Sequence, residues 1–245
     1  MHQQRLDTLV VARLRSPVAP PANRLSSMAE ALDQTQQEGP QPGGDESEVE
    51  PRAEVEPDAG HEPEHELEPE VAARRDAALA QIRKFGDPVL KTKARRVERF
   101  DEALRDEARH MGMLMDDALG IGLAATQVGV LHRLLVYRVQ SGAPLAALAN
   151  PVIEWSSRDE EIAEEGCLSL PLVHTEVERP VHVRVRAQDE YGEPIVIEAS
   201  GLEARVIQHE MDHLDGILIL DRTPRDQRKV AMRTLRDWQE QQRSR

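Results

Sequence analysis

His209 and His213 stand four residues apart with Glu210 beside the first, as His-Glu-x-x-His. On a helix that spacing is about one turn, so both imidazoles project from one face toward a single ion. Glu210 sits beside them without being a ligand. A catalytic divalent ion needs a third protein ligand and an open position for water. The soft candidate is Cys167, the single cysteine of the chain, within Glu165-Gly166-Cys167-Leu168-Ser169. A lone cysteine is more commonly an inert buried thiol. Proteases built on this helix motif take their third ligand downstream, where Asp215 and Asp221 lie. The residues alone leave those alternatives open, along with a histidine pair that binds nothing.

A second pattern, Gly120-Ile121-Gly122-Leu123-Ala124-Ala125, matches a dinucleotide fingerprint. Its context argues against that use: a helix precedes it, and Gln140 stands where an acid would hold the ribose. The glycines read instead as a helix end that lets the backbone approach something closely.

The elements that must position these residues follow from periodicity. Leu104, Ala108, Met111, Met115 and Leu119 recur at helical spacing, which predicts an amphipathic helix ending near Gly120. Short strands are expected over residues 133–139 and 152–155. Val181, Val183 and Val185 alternate with polar residues, and the pattern resumes at Ile195 and Ile197 after a turn over residues 189–192, an antiparallel hairpin. Ser200 and Glu203 form a capping-box pattern opening the helix that carries the histidines. Thr223 and Pro224 read as the start of a last helix whose stripe of Val230, Ala231, Leu235 and Trp238 packs back on the sheet.

Charge divides the chain. The net charge is -14, yet residues 45–70 alone carry twelve acids against Arg52, leaving the rest close to balance. No basic face marks a nucleic-acid surface, so no stable nucleic-acid complex is expected. Residues 1–75 read as a disordered, Pro/Glu-rich acidic extension and residues 76–245 as the catalytic domain. The extension is read as a solvated tail in preference to a docking segment, and either Met1 or Met28 can serve as the start. One cysteine permits no intrachain disulfide and suits a reducing compartment. No apolar run approaches the roughly 18 residues of a membrane span. A cytoplasmic bacterial protein is expected, ahead of an organellar one suggested by Arg5, Arg13 and Arg24.

Three blocks stand in order: Gly120-Ile121-Gly122-Leu123-Ala124-Ala125-Thr126-Gln127, Glu165-Gly166-Cys167-Leu168-Ser169, and Gln208-His209-Glu210-Met211-Asp212-His213-Leu214. Together they resemble the peptide deformylase family over roughly residues 80–240. The resemblance implies an α+β fold, antiparallel strands wrapped around the His-Glu-x-x-His helix with a C-terminal helix. It implies Cys167, His209 and His213 as ligands of one divalent ion, Fe(2+) in the cell, with Zn(2+), Ni(2+) or Co(2+) also suited to the donors. Glu210 becomes the proton carrier in hydrolysis of the formyl group from N-formyl-methionyl nascent peptides. Gln127 and the backbone N–H of Leu168 become donors to the carbonyl oxygen. Ile121, Leu202 and Val206 become the methionine pocket, and Gly122 and Leu170 align the peptide by backbone bonds. Arg205 is expected at the pocket rim, and Arg179 is expected to pair with Glu165 or Asp212. The ribosome is implied as a transient partner. A metalloprotease and a silent binder of formyl peptides are the rival readings.

Overall fold

In the computed structural model, residues 67–244 are described; the extension before them, with both candidate start methionines, lies outside the described residues. The first helix, α1, spans Pro69–Gln81. Proline at a first helical position loses only an N–H that would have had no partner. Helix therefore begins seven residues before the boundary expected at residue 76. The apolar signal there is thin, since α1 buries only Ala78. The next helix, α2, spans Glu102–Asp117 and is capped by the Asp101 carboxylate, which accepts from the Leu104 N–H at 3.3 Å. Leu104, Ala108, Met111 and Met115 face inward as their spacing predicts. Leu119 does not. It lies past the helix end with φ at 60° and is 53% exposed, because the chain has already turned to bring Gly120 under Met115.

Five antiparallel strands form the main sheet: β1 (Gly122–Ala124), β2 (Leu134–Tyr137), β3 (Ala146–Ser156), β6 (His182–Gln188) and β7 (Pro194–Ser200), in the order β1-β2-β3-β6-β7. Every residue of β2 is buried. Leu134 and Val136 join α2 in one core cluster, while Leu135 and Tyr137 join the histidine helix in another. The sheet is thus covered on both sides, which explains why β2 reads as a continuous apolar run. The β6–β7 hairpin forms with Val183 and Val185 inward; Val181 precedes the strand.

A second, two-stranded sheet pairs β4 (Glu160–Cys167) with β5 (Leu170–Pro180). Sequence patterning misses this ribbon because β4, Glu-Glu-Ile-Ala-Glu-Glu-Gly-Cys, is mostly solvent-facing and carries no apolar alternation. The short α4 (Ile219–Arg222) and the terminal α5 (Arg225–Arg243) cover β5, with Ala231 and Leu235 seated on Leu170, Val173 and Val177. α5 starts one residue later than expected, with Pro224 at its cap position, and Val230 faces solvent at 63% exposure.

The helix carrying the histidines, α3, spans Gly201–Leu214, and every residue from Ala204 to Leu214 is buried. Ser200 takes the cap position without a capping box. Its hydroxyl pairs with His182 Nδ1 at 2.8 Å, and Glu203 accepts from the Tyr137 hydroxyl at 2.9 Å. Partners distant in sequence have displaced the local pairing.

Candidate metal centre

Helical spacing brings the His209 and His213 rings within 5.0 Å centroid to centroid. Cys167 arrives from another element, at the end of β4 where the register shifts between Gly166 and Cys167. Its Sγ lies 3.2 Å from His213 Nε2, and one ligand atom from each of Cys167, His209 and His213 falls within 4.8 Å of the others. Asp215 and Asp221 are engaged elsewhere: Asp215 accepts from Arg133 at 2.8 Å, and Asp221 pairs with Lys91 and the Leu218 N–H. Among the described residues, then, the third donor beside the histidines is a sulfur.

Behind the cluster lies a buried ion network. Arg179 donates to both oxygens of Glu165, at 2.6 and 2.8 Å, and also to Asp212 at 2.9 Å, so it pairs with both expected acids. Arg222 closes on Asp212 from the other side. Arg205 is 9% exposed. Its guanidinium reaches Glu165 at 2.8 Å and the carbonyls of Val177 and Glu161 at 2.9 and 2.7 Å. Although its side chain borders the cleft, its charge turns inward, which corrects the expectation of a rim residue. A buried guanidinium is stable only with such partners.

The charges show what this arrangement can hold. Burial alone would raise Glu165, but hydrogen bonds from Arg179 and His209 hold it well below the usual carboxylate range. It is therefore an acceptor only, so His209 Nδ1, 2.9 Å away, donates to it, and Nε2 is the nitrogen that would ligate an ion. Burial pulls His209 down, yet the neighbouring Cys167 and Glu165 raise it to about 10. Burial and the His209 charge drive His213 well below its ordinary value. One sulfur and two imidazole nitrogens within 4.8 Å of one another, with the Glu165 carboxylate behind His209, are the donors that a divalent cation takes. The donor set fits such an ion.

Around it stand the groups for chemistry. Glu210 is buried with Oε2 unpartnered among the described residues, and burial lifts its carboxyl to about 7. Its side chain lies against Gly122, where an added Cβ would stand 2.9 Å from its Cγ and Cδ. That close approach is the reason for the second glycine of the block. The Gln127 Oε1 accepts the Ala124 N–H at 2.8 Å, which turns its amide NH2 toward Ser169 at 3.2 Å and Cys167 at 3.8 Å. Leu168 follows the cysteine in the β4–β5 turn.

These groups open on a cleft of about 1000 Å³ that Ile121, Gly122, Leu170, Leu202 and Val206 all line. Ile121 and Leu202 stand at its mouth, 42% and 46% exposed. Of the residues expected at the site, all but His213, which lies buried behind Cys167, border this one cleft. Sequence reasoning missed a further wall, formed by Arg75, Asp76 and Leu79 of α1 with Trp238 and Gln242 of α5. Only Trp238 carried a signal, and it had been read as core.

The model of the polypeptide deformylase family matches residues 79–229, well over half of the chain. The chain belongs to that family. It is 44% identical over 160 residues to a peptide deformylase of Acidothermus cellulolyticus, spanning 65% of this chain and 87% of that one. It is 46% identical over 161 residues to peptide deformylase 1 of Corynebacterium glutamicum, spanning 65% and 95%. The crystal structure of a peptide deformylase from Synechococcus elongatus superposes with a TM-score of 0.61 at 45% identity, covering 62% of this chain and 85% of that one. As a deformylase, the chain is a metal-dependent hydrolase. The family match opens inside α1, so residues 69–78 of that helix precede it.

Proposed function

We infer that the chain removes the N-terminal formyl group from formyl-methionine of newly synthesised polypeptides, releasing formate, with Cys167, His209 and His213 holding the ion. The observation that carries this reading is the Cys-His-His cluster with a buried carboxylate, Glu210, facing the same apolar cleft. An ion held there supplies Lewis acidity, polarising the formyl carbonyl and lowering the pKa of a water from about 15.7 toward about 7.

Glu210 accepts a proton from the attacking water, and oxygen adds to the formyl carbon. As the C–N bond breaks, Glu210 returns that proton to the departing amine, giving formate and a free N-terminus. A carboxyl held near 7 can take and return a proton near neutral pH. The Gln127 amide, with its oxygen anchored, and the Leu168 backbone N–H donate to the carbonyl oxygen as negative charge develops. Ile121, Leu202 and Val206 receive the methionine side chain, and Gly122 and Leu170 align the peptide. Arg179 and Arg205 fix Glu165, which fixes His209.

Iron(II) is the ion we assign in the cell, as the family resemblance implies; the thiolate and imidazole donors themselves suit iron(II), zinc, nickel and cobalt alike. A bacterial cytoplasm fits a site that depends on a reduced cysteine. No described helix is long and apolar enough to cross a membrane. Its substrates emerge from the ribosome, and the arginines of α5 offer charge for brief contact there.

Formate release from a formyl-Met tripeptide, by protein purified without oxygen and assayed for metal, tests the reading. Release should vanish in Glu210→Ala while the metal stays bound. In Cys167→Ala the metal should be lost, whereas a protease using a downstream acid would keep it. A fully loaded protein that releases no formate would overturn the proposal.

A further inference from the structure

We propose that α1 is a working wall of the substrate cleft, and that Arg75 on it selects for an acidic side chain a few residues beyond the formyl-methionine. The inference rests on the deformylase reading and extends it to the substrate's sequence.

α1 is fixed in place. Ala78 is 2% exposed and Ile82 3%, both within the core cluster that holds Met111, Met115 and Ala118. Just after the helix, the Lys84 ammonium donates to the carbonyls of Leu79 and Ile82 at 2.6 and 3.0 Å, closing the helix end where carbonyls lack partners. The Arg83 N–H then donates to the Gln127 carbonyl at 2.7 Å. The same stretch of chain that ends α1 is therefore bonded to the turn carrying a catalytic amide.

α1 also borders the cleft. Arg75, Asp76 and Leu79, together with Trp238 of α5, line the same space as Cys167 and Glu210. At about 1000 Å³ the cleft sits at the upper end of the range for ligand pockets, far more than one methionine side chain needs. A peptide whose first residue occupies the Leu202 and Val206 side must send its following residues elsewhere in this space. At roughly 3.3 Å per residue, a few residues suffice to run its length.

Chemistry sets the preference. The α1 side of the cleft offers two cations, Arg75 and Lys84, against one anion, Asp76. Lys84 is committed to the helix end, so Arg75 is the cation available to substrate. Its planar fork of donors matches a carboxylate, and partial burial shields the pair from water. Arg75 and Asp76 precede the family match, which begins at residue 79.

The test uses the full, metal-loaded chain and formyl-Met-Ala peptides carrying Asp or Lys at the third and fourth positions. Wild type should favour the acidic peptides by about 2- to 5-fold in kcat/KM, the range of a partly exposed ion pair, with the difference in KM and not in kcat. Arg75→Glu should reverse the preference, and Arg75→Lys should keep most of it. Trp238 gives a readout independent of turnover: in a Glu210→Ala, Trp155→Phe background its fluorescence should report tighter binding of the acidic peptides. Should Arg75→Glu fold poorly, Arg75→Gln should abolish the preference without reversing it. An unchanged ratio in these variants, with formate still released, would overturn the assignment of Arg75 alone. No release from any peptide would overturn the deformylase reading and this one with it.

Discussion

The candidate metal centre has two arms that are built differently. α3 supplies His209, Glu210 and His213 from one buried helix, whose geometry alone sets their spacing. The β4–β5 ribbon supplies Cys167 and Glu165 from a two-stranded sheet whose first strand is largely exposed. It is held to α3 by ions: Arg179 and Arg205 join Glu165 on the ribbon to Asp212 and His209 on the helix. One arm is positioned by local structure and the other by tertiary charge pairing. The two should therefore fail in different ways.

The helix arm is broken most sharply from outside the helix. Gly122→Ala places a methyl group 2.9 Å from Glu210 Cγ and Cδ, and β1 is buried too completely to yield. The carboxylate must move while both histidines keep their backbone positions. We expect kcat to fall about 100- to 10,000-fold, the usual contribution of a positioned proton carrier, with metal content unchanged. Stoichiometric metal with near-normal kcat would show that Glu210 has room that the close approach denies.

The ribbon arm is broken by Arg179→Met. Removing one partner of a buried ion pair leaves Glu165 and Asp212 underpaired, at a cost of about 3–5 kcal/mol. Because Glu165 also orients His209, metal affinity should drop about 10- to 100-fold. Thermal unfolding and metal titration of the same samples check both. Lost stability with unaltered metal affinity would separate the ion network from the centre and make its role structural only.

The same contrast explains what the sequence could reveal. A helix stores its site in one short stretch, so His-Glu-x-x-His was readable, as was the alternation of the β6–β7 hairpin. The ribbon was unreadable: Glu160–Gly166 looks like a solvated acidic run, and its order depends on guanidiniums that reach it from β5 and α3. Arg205 was misplaced for that reason, since a lone arginine carries no mark of the carboxylate it will meet. The start of α1 was missed because it buries little, and the Ser200 capping box failed because Tyr137 and His182 compete for its members. Cys167 became legible only through the ordered set of three blocks, not through its own surroundings.

Lys84 sets a smaller, third case beside the two arms, a cation answered by backbone carbonyls in place of a carboxylate. Burial lowers its value from 10.5 to about 8, with the Cys167 charge opposing. Below pH 8 the folded and unfolded chains both carry the proton, so the folded state bears the full cost of burying the charge. Between about 8 and 10.5 the unfolded chain still holds the proton while the folded chain has released it, and stability attributable to this residue rises with pH. The bonds to Leu79 and Ile82 survive the change, since a neutral amine also donates. Lys84→Met lacks both bonds at every pH, which offsets its stability by a constant. The wild-type melting temperature should therefore climb relative to Lys84→Met across pH 8–10.5 and run parallel to it from pH 6 to 8. A difference that stays flat through the upper window would mean that the ammonium reaches solvent freely, and that α1 lies more loosely against the cleft than its carbonyl contacts require.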